Sequence, residues 1–498
     1  MSELLRKGRL SSVRKDVVEF TSSIKNDKKL LKHVININKA HVLMLMETGI
    51  IHKVDGAKIL NALEKLDKDI KIKGTVEDVH MVLEEEVINI VGADVGGNLN
   101  LAKSRNDQVA TAIRMKLREE ILNLSELVIA FQEALVQVSE KNLETLIPGY
   151  THLQPAQPTT FAHYLVAQFD ALERNMKRIE EAFARVDLCP MGAGALATTS
   201  FSISRERVAT LLGFSGIVEN SLDAVSTRDF LLEVLAILSI MAVDVSRFVE
   251  DLIIWSSMEF GLIDFPDQFS STSSIMPQKK NPEVLEVTRA RMSHILGNFI
   301  AATVTLKNLP SAYNLDLQEI TPKLWDSIET INKCLKMFLE LLINLKVNEN
   351  LLNKGALSFL TATELANVLV RNHNVPFRTS HKIVGALVRT LIENGKSLRD
   401  TTPELLVEIS KKFLKSPLSV SVEEIHDAID PSSFVESHKV RGGPSKMEVN
   451  KMLSARKEIL DHSKKWVSEK RLKLTEAEAN LNSLMKSSIT SNLSNRKV

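Results

Sequence analysis

Between residues 108 and 142 the apolar positions Val109, Ile113, Leu117, Ile121, Leu124, Val128, Phe131 and Leu135 recur at three- and four-residue steps. That period lines one face of an α-helix. Comparable stretches run from about Thr160 to Val186, from about Ser226 to Trp255, and onward from Pro282 and Thr321. Shorter helical patterns, including Leu30–Thr48 and Asp55–Ile70, precede them, and strand-like alternation is scarce. The pattern predicts an all-α protein of three mostly helical domains: residues 1–105, a central bundle of long helices at 106–350, and 351–498, where Asn374, Pro376, Pro417, Pro431 and Gly442-Gly443 punctuate shorter elements. The Ser226–Trp255 stretch is apolar on most faces, as a helix inside a bundle should be. Its uninterrupted apolar run, Val234–Val243, is bounded by Glu233 and Asp244 and is too short to span a bilayer. Helices this apolar leave faces that one copy does not cover, which points to an oligomer. The last stretch, Ser483–Val498, is rich in Ser and Asn and is expected to be mobile.

Composition narrows the function. The chain has 498 residues, 44% of them hydrophobic, enough for several buried cores. Lys+Arg 63 against Asp+Glu 62 leaves no basic field for nucleic acid. Cys189 and Cys334 read as two reduced structural thiols, and no HxH, HExxH or CxxC grouping suggests a metal. No metal or other cofactor is expected. The N-terminal MSELLRKGRLSSVRKD is charged throughout and lacks the apolar core of a signal peptide. The expectation is a cytoplasmic protein with no membrane partner.

Candidate chemistry concentrates in Ser273–Pro282, SSIMPQKKNP, with Glu286 shortly after. Removing a proton beside a carboxylate builds a dianionic, enolate-like intermediate, which needs fixed positive charge and a base. Lys279 or Lys280 supplies charge; Ser273 or Ser274 is a base only as an alkoxide stabilised by cations or backbone N–H groups. The competing reading is a solvated basic turn between prolines. Asn106 and Asp107 open the 108–142 helix, where either is explained as an ordinary N-cap. A helix N-terminus also attracts anions, and Arg105 adds a carboxylate-gripping fork. His152 lies in a polar loop between Pro148 and Pro158, and a lone histidine there is more often structural than catalytic.

Three ordered blocks carry a resemblance. SSIMPQKKNP resembles the GSSxMPxKxNP signature of the fumarase/aspartase superfamily, and its QKK form is similar to that of the argininosuccinate lyases. Ser104–Gln108 (SRNDQ) and Gly149–Gln154 (GYTHLQ) resemble that branch's other two blocks. Further similar strings are SIKND at 23–27, EDVH at 77–80, Gly194-Ala195-Leu196, NSLDA at 220–224, AYNLDLQ at 312–318 and Gly442-Gly443-Pro444.

The resemblance covers about residues 8–465 and implies a fumarase/aspartase-like fold, a homotetramer and active sites assembled from three subunits. It implies cleavage of argininosuccinate to arginine and fumarate, the last step of arginine biosynthesis. Ser273 is then the base, with Ser274 as the alternative. Lys279 and Asn281 stabilise the aci-carboxylate, and His152 with Glu286 serves the leaving group. Ser23, Asp27, Ser104, Arg105, Asn106, Thr151, Tyr313 and Gln318 bind substrate; Tyr313 also reads as a core residue with one hydrogen bond.

Departures from the family pattern are Thr272 for a glycine, and Leu315 and Thr321 for lysines, with Lys323 two residues beyond the latter. They bear on the substrate more than on the reaction. The alternatives are a sister fumarate-releasing lyase, such as one acting on adenylosuccinate, and a non-catalytic structural protein that kept the fold.

Overall fold

The computed structural model describes residues 13–70, 76–349, 351–353 and 355–493. The fold is all-α. Five long helices, Arg105–Lys141, Phe161–Val186, Asp229–Ser256, Glu283–Leu306 and Leu317–Asn344, pack against one another. Aromatic rings lock their centre: Phe338 meets Phe131 at 5.1 Å and Phe248 at 4.9 Å between centroids, and Tyr164 meets Trp255 at 4.5 Å. The Tyr164 hydroxyl is satisfied by donating to Asp251 Oδ2 at 2.8 Å, which such a buried polar tip requires.

By length and composition the Arg105–Lys141 helix would qualify as a membrane span. Its buried positions instead include Arg114, Arg118, Ser125 and Gln132 among the aliphatic residues, all within the core. Arg118 shows why they are tolerated. Its guanidinium donates to Asp187 Oδ1 at 2.7 Å and to the carbonyls of Leu212 and Gly213 at 2.9 and 3.0 Å. It stitches the 187–213 segment to the central helix, and removing one partner of such a buried pair costs about 3–5 kcal/mol.

The helix limits shift by up to one turn from the periodicity. The final central helix starts at Leu317 rather than Thr321, because Leu317 and Ile320 also bury. The helix expected from Gln108 starts at Arg105. Ser104 is its N-cap, Asp107 completes a capping box, and Asn106 is not a cap at all.

Residues 365–428 close a second core around Leu369, Ile383, Leu387, Leu406 and Ile425. The 48-residue helix Lys446–Leu493 leaves that region and packs along Arg105–Lys141 and Lys53–Asp69, burying Leu453, Leu460, Val467, Leu481 and Met485 in the main core. The polar stretch expected to be mobile is therefore helical through Leu493. Leu481, Met485, Ile489 and Leu493 recur every four residues and hold it to the core, a stripe that its Ser and Asn content hides. Residues 494–498 of that expectation, and the first twelve residues of the chain, lie outside the described part.

Candidate active site

The SIKND and EDVH strings meet. Ser23 N–H donates to the Glu77 carbonyl at 3.0 Å, and the Ser22 hydroxyl to the Val76 carbonyl at 2.6 Å. Asp78 then does two things. It caps the Val79–Val91 helix by accepting from Met81 N–H at 2.9 Å, and it is ion-paired with Arg105 Nη1 at 2.8 Å. Glu77 Oε1 accepts from the same Nη1 at 3.0 Å.

Arg105 is thus pinned in the wall of a cavity of about 360 Å³, lined also by Ser23, Asp27, Asn106, Tyr313, Leu315, Gln318 and Thr321. Six of the expected substrate-binding residues come together here. Gln318 Nε2 donates to the Thr21 carbonyl at 2.9 Å, tying the last central helix to the N-terminal wall.

Burial, with Asp78 nearby, pushes the Asp27 carboxyl up to about 7, against the opposing pull of the Ser23 hydroxyl bonded to it and of Arg105. Burial also raises the Tyr313 phenol, so it stays neutral.

Ser104 and Asp107 hold the scaffold. Asp107 is fully buried and accepts from the N–H groups of Gly192 (3.1 Å), Gly194 (2.9 Å) and Ser104 (3.0 Å). Gly194 has φ +64, and a Cβ there would meet the Thr198 carbonyl oxygen at 2.6 Å. The loop so held gives the Ala195 carbonyl to Asn106 Nδ2 at 3.2 Å. Ser104 itself does not line the cavity; its hydroxyl accepts from Asn106 N–H at 3.3 Å.

The SSIMPQKKNP segment is a hairpin. Ser271 pairs with Asn281 and Thr272 with Lys280. Thr272 therefore occupies extended strand, where a β-branched residue is at home, and the position has no need of the family's glycine. The Ser273 hydroxyl accepts from the N–H groups of Ile275 (3.3 Å) and Met276 (3.1 Å), donors that would favour its oxyanion.

The two lysines separate cleanly. Lys280 Nζ is ion-paired with Asp264 (2.9 Å) and Asp267 (3.2 Å). Lys279 has no carboxylate partner among the described residues and lines a cavity of about 350 Å³ with Gln278, Asn281, Ser256 and Ser257. Ile275 at the tip is 85% exposed, and Glu286 also faces outward.

The expected polar loop at 148–158 is instead a second hairpin, Leu146–Thr151 with Gln154–Thr160. His152 and Leu153 form its tip with φ 55 and 58, and Thr151 to Pro155 are exposed. At its base His163 is hydrogen-bonded through Nδ1 to Thr159 Oγ1 and through Nε2 to the Gly442 carbonyl, each at 3.0 Å. Thr151 and His152 line neither cavity, and among the described residues no hydrogen bond or ion pair joins His152 to Glu286. Within one chain the expected His152–Glu286 pair is not formed, because each side chain stands on an outward face.

The fold and these three clusters can be set beside known proteins. A lyase family model matches residues 11–297, and a model of the argininosuccinate lyase C-terminal region matches residues 359–436. An argininosuccinate lyase of Methanocaldococcus jannaschii is 44% identical over 95% of this chain and 98% of its own length. The chain belongs to the argininosuccinate lyase family. A second argininosuccinate lyase, from Methanosarcina mazei, is 42% identical over 93% of this chain and 94% of its own length.

A crystal structure of EDDS lyase in complex with formate superposes with TM-score 0.87, 28% identity, and coverage of 95% of this chain and 94% of that one. A class II fumarase from Schistosoma mansoni shares the fold alone, with TM-score 0.70 at 16% identity over 88% of this chain and 97% of its own. The second core falls within the region matched by the argininosuccinate lyase C-terminal model.

Sequence reasoning missed three charged residues of the cavity wall: Glu77, Asp78 and Arg228. The first two sit inside a string already singled out. Arg228 had a signal of its own, a lone cation directly before the very apolar Asp229–Ser256 helix.

Proposed function

We infer that this lyase cleaves argininosuccinate to L-arginine and fumarate. The observation that carries the reading is the cavity that gathers Ser23, Asp27, Arg105, Asn106, Tyr313 and Gln318 in a chain of this family. In the reaction Ser273 takes a proton from the succinyl carbon next to a carboxylate. The electron pair enters that carboxylate, and Lys279 and Asn281 hold the resulting charge. The C–N bond then breaks, forming the fumarate double bond. The departing guanidino nitrogen takes a proton from His152, whose other ring nitrogen is held by Glu286. Support for Ser273 over Ser274 comes from the two backbone N–H groups at its oxygen, and for Lys279 over Lys280 from the carboxylates that already neutralise Lys280. Ser104 and Thr151 complete the substrate contacts, and Asp27 pairs with a cationic group of the arginine half.

The reading includes a cytoplasmic homotetramer in which the His152 tip, the Ser273 hairpin and the Asp27 cavity of different subunits converge. Its support is apolar exposure on three neighbouring central helices: Ile240, Val243, Val287, Ile300, Val304 and Met337 are each 42–60% exposed, and clustered apolar exposure of this kind marks interaction surfaces. The division of the chain near residues 105 and 350 belongs to the same proposal, with the last helix returning to the central core.

The deciding experiment follows the ultraviolet absorbance of fumarate from purified protein given argininosuccinate, with adenylosuccinate in parallel. Release from argininosuccinate alone is expected. Release from adenylosuccinate alone would overturn the substrate, and silence with both would overturn the reaction.

A further inference from the structure

Arg228 stands in the wall of the Asp27 cavity, directly before the Asp229–Ser256 helix, and is 2% exposed. Its Nη1 donates to the carbonyls of Thr227 (2.7 Å) and Val225 (3.3 Å), while Nε and Nη2 have no partner. No carboxylate pairs with it among the described residues. Buried arginines are ordinarily paired, since a desolvated cation with open donors destabilises the fold around it. Burial, and then the neighbouring Arg114, bring the Arg228 pKa down to about 10, which still leaves it charged at neutral pH.

Of the other two guanidiniums nearby, one is paired and one lies outside the cavity lining, with an unpartnered Nε of its own. Arg105 is held by Glu77 and Asp78. Arg114 donates to the Arg185 carbonyl at 2.7 Å and lies 3.9 Å over the Phe230 ring. The cavity wall therefore contains one cation without a carboxylate partner, Arg228, and one carboxylate, Asp27, bonded to the Ser23 hydroxyl but to no cation among the described residues. Nε–H and Nη2–H lie on one edge of a guanidinium and point the same way, which is the side-on fork for a carboxylate.

An α-amino acid head carries an ammonium and a carboxylate on one carbon, complementary to this pair of charges. We propose that Arg228 is a specificity-determining residue that grips the α-carboxylate of the substrate's arginine half side-on, while Asp27 takes the ammonium. The assignment rests on the argininosuccinate reading above and deepens it.

The test uses L-arginine and agmatine, which is arginine without the carboxylate, as ligands of the purified protein in titration calorimetry, with fumarate as the control for the other end of the site. The wild-type protein should prefer L-arginine by about 30-fold or more, the low end for a desolvated charge pair. In Arg228→Gln, and in Arg228→Lys, which keeps the charge but loses the fork, that preference should fall to a few-fold, with fumarate affinity changed by less than about twofold. Arg228→Lys serves as the folded comparison if the glutamine variant unfolds, judged by thermal melting.

Equal wild-type binding of L-arginine and agmatine, or an unchanged preference in a folded variant, overturns the assignment. So does a loss of fumarate binding in step with arginine, which would mark Arg228 as structural. If the wild-type protein releases no fumarate from argininosuccinate, the reading of the reaction falls. If it does and the preference ignores Arg228, only this assignment falls.

Discussion

Around Asp27 the chain supplies its own walls. Five separate stretches of sequence, at 23–27, 77–78, 105–106, Arg228 and 313–318, close on one cavity, held there by hydrogen bonds to Glu77 and Thr21 and by the Arg105–Asp78 ion pair. Around Ser273 and His152 it does the opposite. Both sit at hairpins whose tips face outward, Ile275 and Leu153 are 85% and 62% exposed, and the proposed His152–Glu286 pair has no bond within one chain. The difference teaches that binding and chemistry are built on different footings. The Asp27 cavity is pre-organised inside one fold, while Ser273 and His152 sit on local turns that face outward and, in the proposed assembly, would meet a partner surface. The Ser273 oxygen bonded to two backbone N–H groups and the His163–Gly442 brace are complete within one chain.

The comparison breaks most readily at the hairpin. Ser273→Ala should lower kcat by roughly 10²–10⁴-fold, the usual worth of a positioned proton acceptor, and leave thermal melting unchanged because the side chain supports no core. Steady-state kinetics with a melting curve checks both, and near-normal turnover would remove the base.

If the two halves meet only between subunits, the next effect is qualitative. Separately inactive Ser273→Ala and His152→Asn proteins, unfolded and refolded together, should regain measurable activity, because mixed assemblies contain sites with both native residues. Persistent inactivity in assembled mixtures would put both residues in one chain's site.

Asp27 sharpens the cavity side. Its folded pKa of about 7 lies above the 3.8 of an ordinary aspartate, so the folded state binds the proton more tightly. The stabilisation is complete below about pH 3.8, declines as pH rises, and is gone above about 7. Asp27→Asn should therefore flatten the melting temperature over that window and make the free protein more stable than wild type at pH 8. It should also raise KM, because the wild-type site gains a carboxylate for its cationic ligand only as pH passes about 7. A wild-type melting profile flat between pH 4 and 7 would remove the burial argument.

The smallest effect belongs to Thr272→Gly. Strand pairing already accepts threonine, so glycine should cost stability by no more than about 1 kcal/mol and change kcat little, as melting and turnover would report. A large gain in turnover would mean that threonine restrains the hairpin during catalysis.

Much of the fold was legible beforehand for a simple reason: a three-four apolar period is local. Phe161–Val186 and Leu31–Glu47 begin and end within about a residue of their expected limits. The hairpin at His152 was not legible, because its strands lack the alternation that marks a half-buried sheet, and the pairing of Leu146 with Thr160 depends on contacts the local pattern does not carry. The terminal helix was misread for a related reason, since serines and asparagines dominate composition while four widely spaced apolar residues decide packing. Among candidate residues, motif strings marked Arg105, Asn106 and Asp107, but which of them caps, which braces and which faces ligand followed only from their partners.

Sequence alone determined the helical class and the family and marked the candidate reactive groups, because each is written in short-range spacing or in residue identity. Tertiary structure alone decided that Lys280 is ion-paired and Lys279 is not, that the Asp27 carboxyl is buried against the Ser23 hydroxyl, and that Arg228 lies buried with Nε and Nη2 unpartnered. Charge state and availability depend on what residues far away in sequence bring within a few ångströms, and on how much water they exclude.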